Sequence, residues 1–186
     1  PMHVRPENLE AAVRGLQKVD NLLGVNLTIP HKEEMAKLCD ELGPNARLTG
    51  TVNAVRFDGD RLVGEMFDGI GLIIGQKENG IDIQGRSALI LGAGGAARAV
   101  AFAYLQEGVT RLGVYNRTTE RAEKLVADIK AAMPEADVVV ATADPTGYEV
   151  ICNCTSLGLH EGDPVPAEID KLDGRMDVVD IIAVRD

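Results

Sequence analysis

Leu89-Ile90-Leu91-Gly92-Ala93-Gly94-Gly95-Ala96-Ala97-Arg98-Ala99 decides the fold. It is a G-x-G-x-x-A loop set after an apolar run, Ser87–Leu91, and before a helical run, Gly94–Glu107. Gly92 allows the tight turn, Gly94 lets the backbone approach a pyrophosphate, and Ala97 fits where the helix must lie close to the strand. Ala93, Gly95 and Ala96 complete the loop, and the N–H groups at the helix start face the phosphates. The pattern alone also describes a Gly-rich turn of an unrelated α/β protein. Strand, loop and helix falling in place together read as a dinucleotide-binding loop.

Downstream, the pattern alternates: strand at Arg111–Tyr115, helix at Thr118–Met133, then strands at Asp137–Thr142, Glu149–Asn153 and Asp177–Ile182. Such alternation predicts an α/β fold, a Rossmann-type doubly wound parallel sheet with helices on both faces. The second strand reports the cofactor. An NAD enzyme places Asp or Glu about 20 residues after the loop, on the ribose 2′-hydroxyl. Here the strand ends in Asn116-Arg117-Thr118, with Arg121 one turn later. Two guanidinium groups and a hydroxyl suit a 2′-phosphate, so NADP is the expected cofactor. Cations at a helix N-terminus are otherwise unfavourable.

Upstream the pattern is less regular. Helices are expected over 7–20, with Leu9, Val13, Leu16 and Val19 on one face, and over 31–42, closed by Gly43-Pro44. A strand is expected over 22–29, and two more at 51–57 and 61–66 form a hairpin about Asp58-Gly59-Asp60. A helix from Asp68 ends at Asn79-Gly80. The boundary is therefore expected near residue 84. Residues 1–84 form a smaller α/β lobe and 85–186 the Rossmann domain, and both read as incomplete.

Composition bounds the function. The chain is 45% hydrophobic and 26% charged, a globular balance. A net charge of −10 repels nucleic acid and anionic membranes, so neither is an expected partner. No stretch reaches the ~18 apolar residues of a membrane-spanning helix. The start, Pro1-Met2-His3-Val4-Arg5, is not a signal peptide, and the numbering is expected to begin inside a longer protein. Cys39, Cys152 and Cys154 are too sparse for a disulfide framework and point to a reducing, cytoplasmic setting. Cys152 and Cys154 read as core thiols, and no metal cluster is expected.

In the first lobe, Asn26-Leu27-Thr28-Ile29-Pro30-His31-Lys32 and Met66-Phe67-Asp68-Gly69 each put one ionisable residue where a strand meets a helix. Lys32 can serve as general acid or base, with a carboxylate such as Asp68 to hold it. On their own these residues read equally as a surface lysine and a helix-capping aspartate. Asn53 either positions a substrate hydroxyl or satisfies backbone, and His31 lacks an acidic partner.

Taken in order, Asn26–Lys32, Gly50-Thr51-Val52-Asn53, Asp68-Gly69, Gly92–Ala99, Asn116-Arg117-Thr118 and Asn153-Cys154-Thr155-Ser156-Leu157-Gly158-Leu159 resemble the shikimate/quinate dehydrogenase family. The resemblance runs from about residue 20 to the end. It implies a substrate lobe, an NADP lobe and a cleft between them. The implied reaction is reversible hydride transfer between NADP and a ring carbonyl or hydroxyl of a small carboxylate, as in 3-dehydroshikimate and shikimate. The pathway would be aromatic amino acid biosynthesis, and a homodimer is the assembly to look for. It further implies that Lys32 and Asp68 form the catalytic pair and that Thr28 and Asn53 contact substrate. Asn116, Arg117, Thr118 and Arg121 would hold the 2′-phosphate, and Thr155 and Leu159 would border the nicotinamide. Three features depart from the family pattern. Met66-Phe67 replaces the usual Asn-Thr before Asp68. An N-terminal Ser-x-Ser motif and a C-terminal Gln-bearing helix are absent. Two other readings compete. A glutamyl-tRNA reductase would need Cys39 as nucleophile. A non-catalytic NADP-binding module would have no use for Lys32 and Asp68 together.

Overall fold

The computed structural model describes residues 1–182. By contacts the chain divides into two compact units, Pro1–Asp68 and Gly69–Asp186.

The first unit opens with a short 3-10 turn at Pro6–Asn8 and helix α1 (Leu9–Leu16), shorter than the expected 7–20. Leu9 and Val13 are buried, whereas Val19 lies past the helix end and is exposed. Strand β1 (Gly24–Asn26) and helix α2 (Lys32–Leu38) follow. The expected helix to residue 42 stops early because Glu41–Leu42 pair with another strand, forming β2. Gly43-Pro44 then opens a helix instead of only closing one: Gly43 is the N-cap and Pro44 the first residue of α3 (Pro44–Thr49). Pro at that position has no N–H to lose and is already set to a helical φ. β3 (Ala54–Asp58) and β4 (Arg61–Glu65) form the expected hairpin, with Asp58 paired to Arg61 and Gly59 at φ +59° in the two-residue turn. Gly at the first central position of such a turn matches the right-handed strand twist.

The strand order is β1-β3-β4-β2, antiparallel except for β2 on β4. Val55, Leu62, Met35, Ala46, Val52 and Met66 are buried. Leu62 and Gly64 are the buried residues of β4, a period of two. A Cβ at Gly64 would stand 2.6 Å from Cys39 Sγ, so the thiol packs directly on the strand.

The second unit is built on a five-stranded, all-parallel sheet. Its elements are α4 (Asp68–Glu78, whose first residue belongs to the first unit), β5 (Ser87–Leu91), α5 (Gly95–Gln106), β6 (Arg111–Tyr115), α6 (Thr119–Ala132), β7 (Val138–Val140), β8 (Val150–Asn153) and β9 (Asp177–Asp180). The order β7-β6-β5-β8-β9 is that of the expected Rossmann-type fold. The alternation expected from sequence placed the boundary near residue 84. The contacts draw it at 68/69 because α4 packs on α5: a Cβ at Gly69 would lie 2.4 Å from Ala99 O.

Both helical crossovers step the same way along the sheet, and right-handed connections place α5 and α6 on one face. Tyr104 of α5 reaches Cys152 there. The opposite face, carrying Leu89, Leu91 and Ile151, is covered by Ala141, Tyr148, Ala167 and Leu172. These belong to connecting segments. Among the described residues no α-helix joins β7 to β8 or β8 to β9, where helices on both faces were expected.

Candidate functional site

In the first unit the backbone brings three predicted residues together. Lys32 opens α2, and its carbonyl accepts from Val52 N at 2.9 Å. The next residue, Asn53, is pinned on both sides. Its N–H donates to Glu65 O at 3.1 Å, and its carbonyl accepts from Leu27 N at 2.7 Å. The chain leaving β4 then reaches Asp68.

The side chains complete the arrangement. Lys32 Nζ donates to Asp68 Oδ2, and Asn53 Nδ2 donates to Asp68 Oδ1, so each carboxylate oxygen has its own donor. Asn53 Oδ1 in turn accepts from Phe67 N at 3.0 Å, which ties the approach to Asp68 back onto the same amide. The Lys32 side chain is 11% exposed and that of Asp68 27%. A half-sheltered ammonium held by a carboxylate can deliver a proton to, or take one from, an oxygen placed beside it.

Thr28 is exposed and makes no side-chain hydrogen bond with this group. Its carbonyl accepts from His31 N at 3.0 Å and so starts α2. His31 hydrogen-bonds Val4 O through Nε2 at 3.0 Å, a packing role. Sequence reading missed Glu65, whose Oε1 accepts from Ala46 N at 2.7 Å and Met66 N at 2.8 Å. It caps α3 and holds the β4–Asp68 segment. Met66 is 1% exposed and Phe67 51%, so only Phe67 presents its side chain outward.

Cys39 does not fit a nucleophile's part. Burial, then the neighbouring Asp40, pushes its thiol up to about 11, leaving it protonated at neutral pH.

In the second unit the loop lies at the C-terminal edge of the sheet, where the strand order reverses between β5 and β8. Ligands bind at such a switch point. Gly92 has φ +116°, and a Cβ there would meet Cys154 O at 3.0 Å, so only glycine fits both the turn and the packing. Gly94 is the N-cap of α5, no side chain caps that helix, and a Cβ at Gly94 would meet open space. The N–H groups after Ala93, at Gly95, Ala96 and Ala97, are thus left for an anion.

At the end of β6, Asn116 Nδ2 donates to Thr118 O at 2.8 Å and fixes the turn into α6. Arg117, Thr118 and Arg121 are exposed around the start of α6, and neither guanidinium is hydrogen-bonded or ion-paired among the described residues. Two unpaired cations at a helix N-terminus suit a phosphate dianion. Arg98 differs: it pairs with Asp128 at 2.6 Å and ties α5 to α6.

After β8, Thr155 Oγ1 donates to Asn153 Oδ1 at 2.7 Å, and Leu157 N donates to Thr155 Oγ1 at 3.0 Å. Leu159 is exposed in the same loop. The residues present fit an NADP molecule in four respects: an uncapped helix start, an open Gly94, free guanidinium groups and an ordered loop beside Gly92. Among the described residues no group of His, Cys, Asp or Glu has the makings of a metal site, and no helix is long and apolar enough to cross a membrane.

Two family models match the chain. One, described as the shikimate dehydrogenase substrate binding domain, matches residues 1–55. The other, shikimate / quinate 5-dehydrogenase, matches residues 74–155. Among curated proteins, the shikimate dehydrogenase (NADP(+)) of Symbiobacterium thermophilum is 42% identical over 165 residues, covering 84% of this chain and 55% of that protein. Among solved structures, a shikimate dehydrogenase in complex with NADP+ superposes with a TM-score of 0.86 at 32% identity, covering 97% of this chain and 64% of the other. The ligand-free 5-ketofructose reductase of Gluconobacter sp. strain CHM43 gives 0.82 at 31% identity, covering 97% of this chain and 66% of the other. The chain thus spans between about half and two thirds of the length of these relatives.

Proposed function

This chain belongs to the shikimate/quinate dehydrogenase family, and from that premise we propose that it takes part in NADP-dependent reversible hydride transfer between a ring carbonyl and hydroxyl of a shikimate-like acid. In this reading residues 1–84 serve the substrate and residues 85–186 the cofactor, in the reducing setting that free thiols suit. NADP, when bound, supplies or accepts the hydride. Lys32 Nζ gives a proton to the substrate oxygen as the carbonyl is reduced, and takes it back in the reverse direction. Asp68 orients Lys32 through the hydrogen bond from Nζ to its Oδ2. Asn53 holds Asp68 and has a second amide hydrogen for substrate, while Thr28 offers a hydroxyl from the segment between β1 and α2. Asn116, Arg117, Thr118 and Arg121 take the 2′-phosphate, Gly92 to Ala96 the pyrophosphate, and Thr155 and Leu159 border the nicotinamide.

The observation that carries this reading is the Lys32–Asp68–Asn53 network, in which both carboxylate oxygens face a donor from a separate segment. A binding module has no need of it. The test is kinetic. Lys32→Ala and Asp68→Asn should each lower turnover about 10²–10⁴-fold, with the double variant little worse than either. Additive losses or near-normal turnover in Lys32→Ala would reject the assignment. Titration should show NADP bound more tightly than NAD, and Arg117→Ala should weaken NADP by about tenfold or more. Equal wild-type affinity for the two cofactors would reject NADP preference.

One observation favours a second substrate. The 5-ketofructose reductase, whose name gives a sugar ketone as its substrate, is among the similar structures. A ketone of a sugar-like polyol is therefore the alternative, read out by assaying shikimate, quinate and 5-ketofructose side by side.

A further inference from the structure

We propose that Asp180, at the end of β9, is a positioning residue for the cofactor: through Asn153 it fixes the loop 154–159 against the pyrophosphate turn. This rests on the NADP reading given above.

The geometry lies at the switch point of the second unit. Asn153 ends β8, Asp180 ends β9, and the two are register partners. Asn153 is a buried polar residue, 6% exposed, and its amide is hydrogen-bonded on both sides. Its Oδ1 accepts from Thr155 N at 3.0 Å and from Thr155 Oγ1 at 2.7 Å. Its Nδ2 donates to Leu157 O at 3.1 Å and to both oxygens of Asp180 at 3.1 Å. Asp180 Oδ1 is itself held by Ile182 N at 2.9 Å.

An amide can be flipped by exchanging its oxygen and nitrogen, and the donors and acceptors of this loop then mismatch. The carboxylate accepts only, and together with the Leu157 carbonyl and the Thr155 N–H it selects the orientation with Nδ2 toward β9 and Oδ1 toward Thr155. That orientation makes Thr155 N and Oγ1 donors to one oxygen and leaves Thr155 Oγ1 to accept from Leu157 N. The loop so ordered begins at Cys154, whose carbonyl is the atom that a Cβ at Gly92 would strike. A loop packed on the pyrophosphate turn and pinned by a carboxylate one strand away presents a fixed surface to the reacting half of a dinucleotide. The adenosine half, expected near Arg117 and Arg121, gains nothing from it.

That asymmetry gives the test. Isothermal titration measures binding of NADPH and of adenosine 2′,5′-bisphosphate, which lacks the nicotinamide half. Asp180→Ala should weaken NADPH about tenfold and change the bisphosphate less than about twofold. Asp180→Asn keeps one oxygen for Asn153 and Ile182 but turns the other, 3.1 Å from Asn153 Nδ2, into a donor, so it should weaken NADPH clearly less than Asp180→Ala does and leave the bisphosphate as in wild type. Equal weakening of both ligands in Asp180→Ala would mean a merely structural role and overturn the proposal, as would unchanged NADPH binding. Asp180→Asn behaving like Asp180→Ala would overturn it too, because charge rather than the fixed amide would then matter. If Asp180→Ala does not fold, Asn153→Asp sets two carboxylates face to face. Adding Asp180→Asn in that background returns a donor to face the new carboxylate but none to the Leu157 carbonyl, so it should recover part of the NADPH binding lost in Asn153→Asp, and no recovery over Asn153→Asp alone would count against the proposal. Wild type binding neither ligand would remove the NADP reading and this proposal with it, a result separate from any variant's.

Discussion

Met66 and Phe67 sit side by side before Asp68, yet their environments are opposite. Met66 is in the core of the first unit, and Phe67 is half exposed. The strand-end geometry explains the split: β4 alternates, so consecutive residues leaving it face opposite ways. Their substitutions should therefore separate. Met66→Asn buries an amide with no partner in an apolar site and should cost about 2–4 kcal/mol of stability while leaving substrate preference alone. Phe67→Thr should leave stability within about 0.5 kcal/mol and shift the ratio of kcat/KM among shikimate, quinate and 5-ketofructose. Urea unfolding and steady-state kinetics read the two effects. A preference that moves with Met66 but not Phe67 would refute this division. At this scale the sequence was legible wherever a residue type had one use. Gly92 and Gly94 in the loop and the unpaired Arg117 and Arg121 are of that kind. It was silent on Glu65 and Asp180, because a carboxylate that accepts from a distant N–H or amide leaves no local pattern.

Gly69 shows how a whole element is seated. It opens the buried side of α4, and an added Cβ would stand 2.4 Å from Ala99 O and 2.7 Å from Ala103 Cβ on α5. Further along, Gln76 Nε2 donates to the buried Tyr104 hydroxyl at 2.8 Å, and Lys77 pairs with Glu107 at the exposed end. Gly69→Ala poses two opposed effects. Alanine is favoured in a helix by about 1 kcal/mol over glycine. Overpacking against a backbone carbonyl costs about 1–3 kcal/mol, and the contact distance is far inside van der Waals range, so destabilisation should win. A lower urea midpoint for Gly69→Ala is the expected result, and a raised one would show that α4 can shift freely on α5. Elements with a long period, such as α5 and α6, were legible to within a residue or two. Strand β2, two residues long, has no period to read. Helix α3 was hidden because Gly-Pro signals an end and a beginning alike.

Across the whole molecule, charge is the property that composition states most plainly, and the structure shows where it is held. Several carboxylates lie below their ordinary range for different reasons. Asp40 is lowered by the Leu62 backbone N–H, Asp163 by that of His160 and Glu149 by that of Ser87. Asp128 is lowered by the Arg98 guanidinium, and Asp144 by Lys171 to about 2. A carboxylate depressed in the folded state contributes stability that is fully present above its unfolded value, about 4, and is lost as pH falls through the folded one. A net charge of −10 works the other way near neutrality, since protonation toward the isoelectric point of about 4.8 relieves self-repulsion. The two effects act in different windows. The urea midpoint should hold or rise slightly from pH 7 to about 5, then fall steadily from about 4 toward 2. Salt distinguishes the causes within the fall. Exposed ion pairs such as Lys171–Asp144 are screened, whereas hydrogen bonds from backbone N–H groups are not. Raising the salt to about 0.5 M should shallow the acid decline without abolishing it. A midpoint that keeps rising to pH 2.5, or a decline that vanishes in salt, would mean that these lowered carboxylates do not hold the fold.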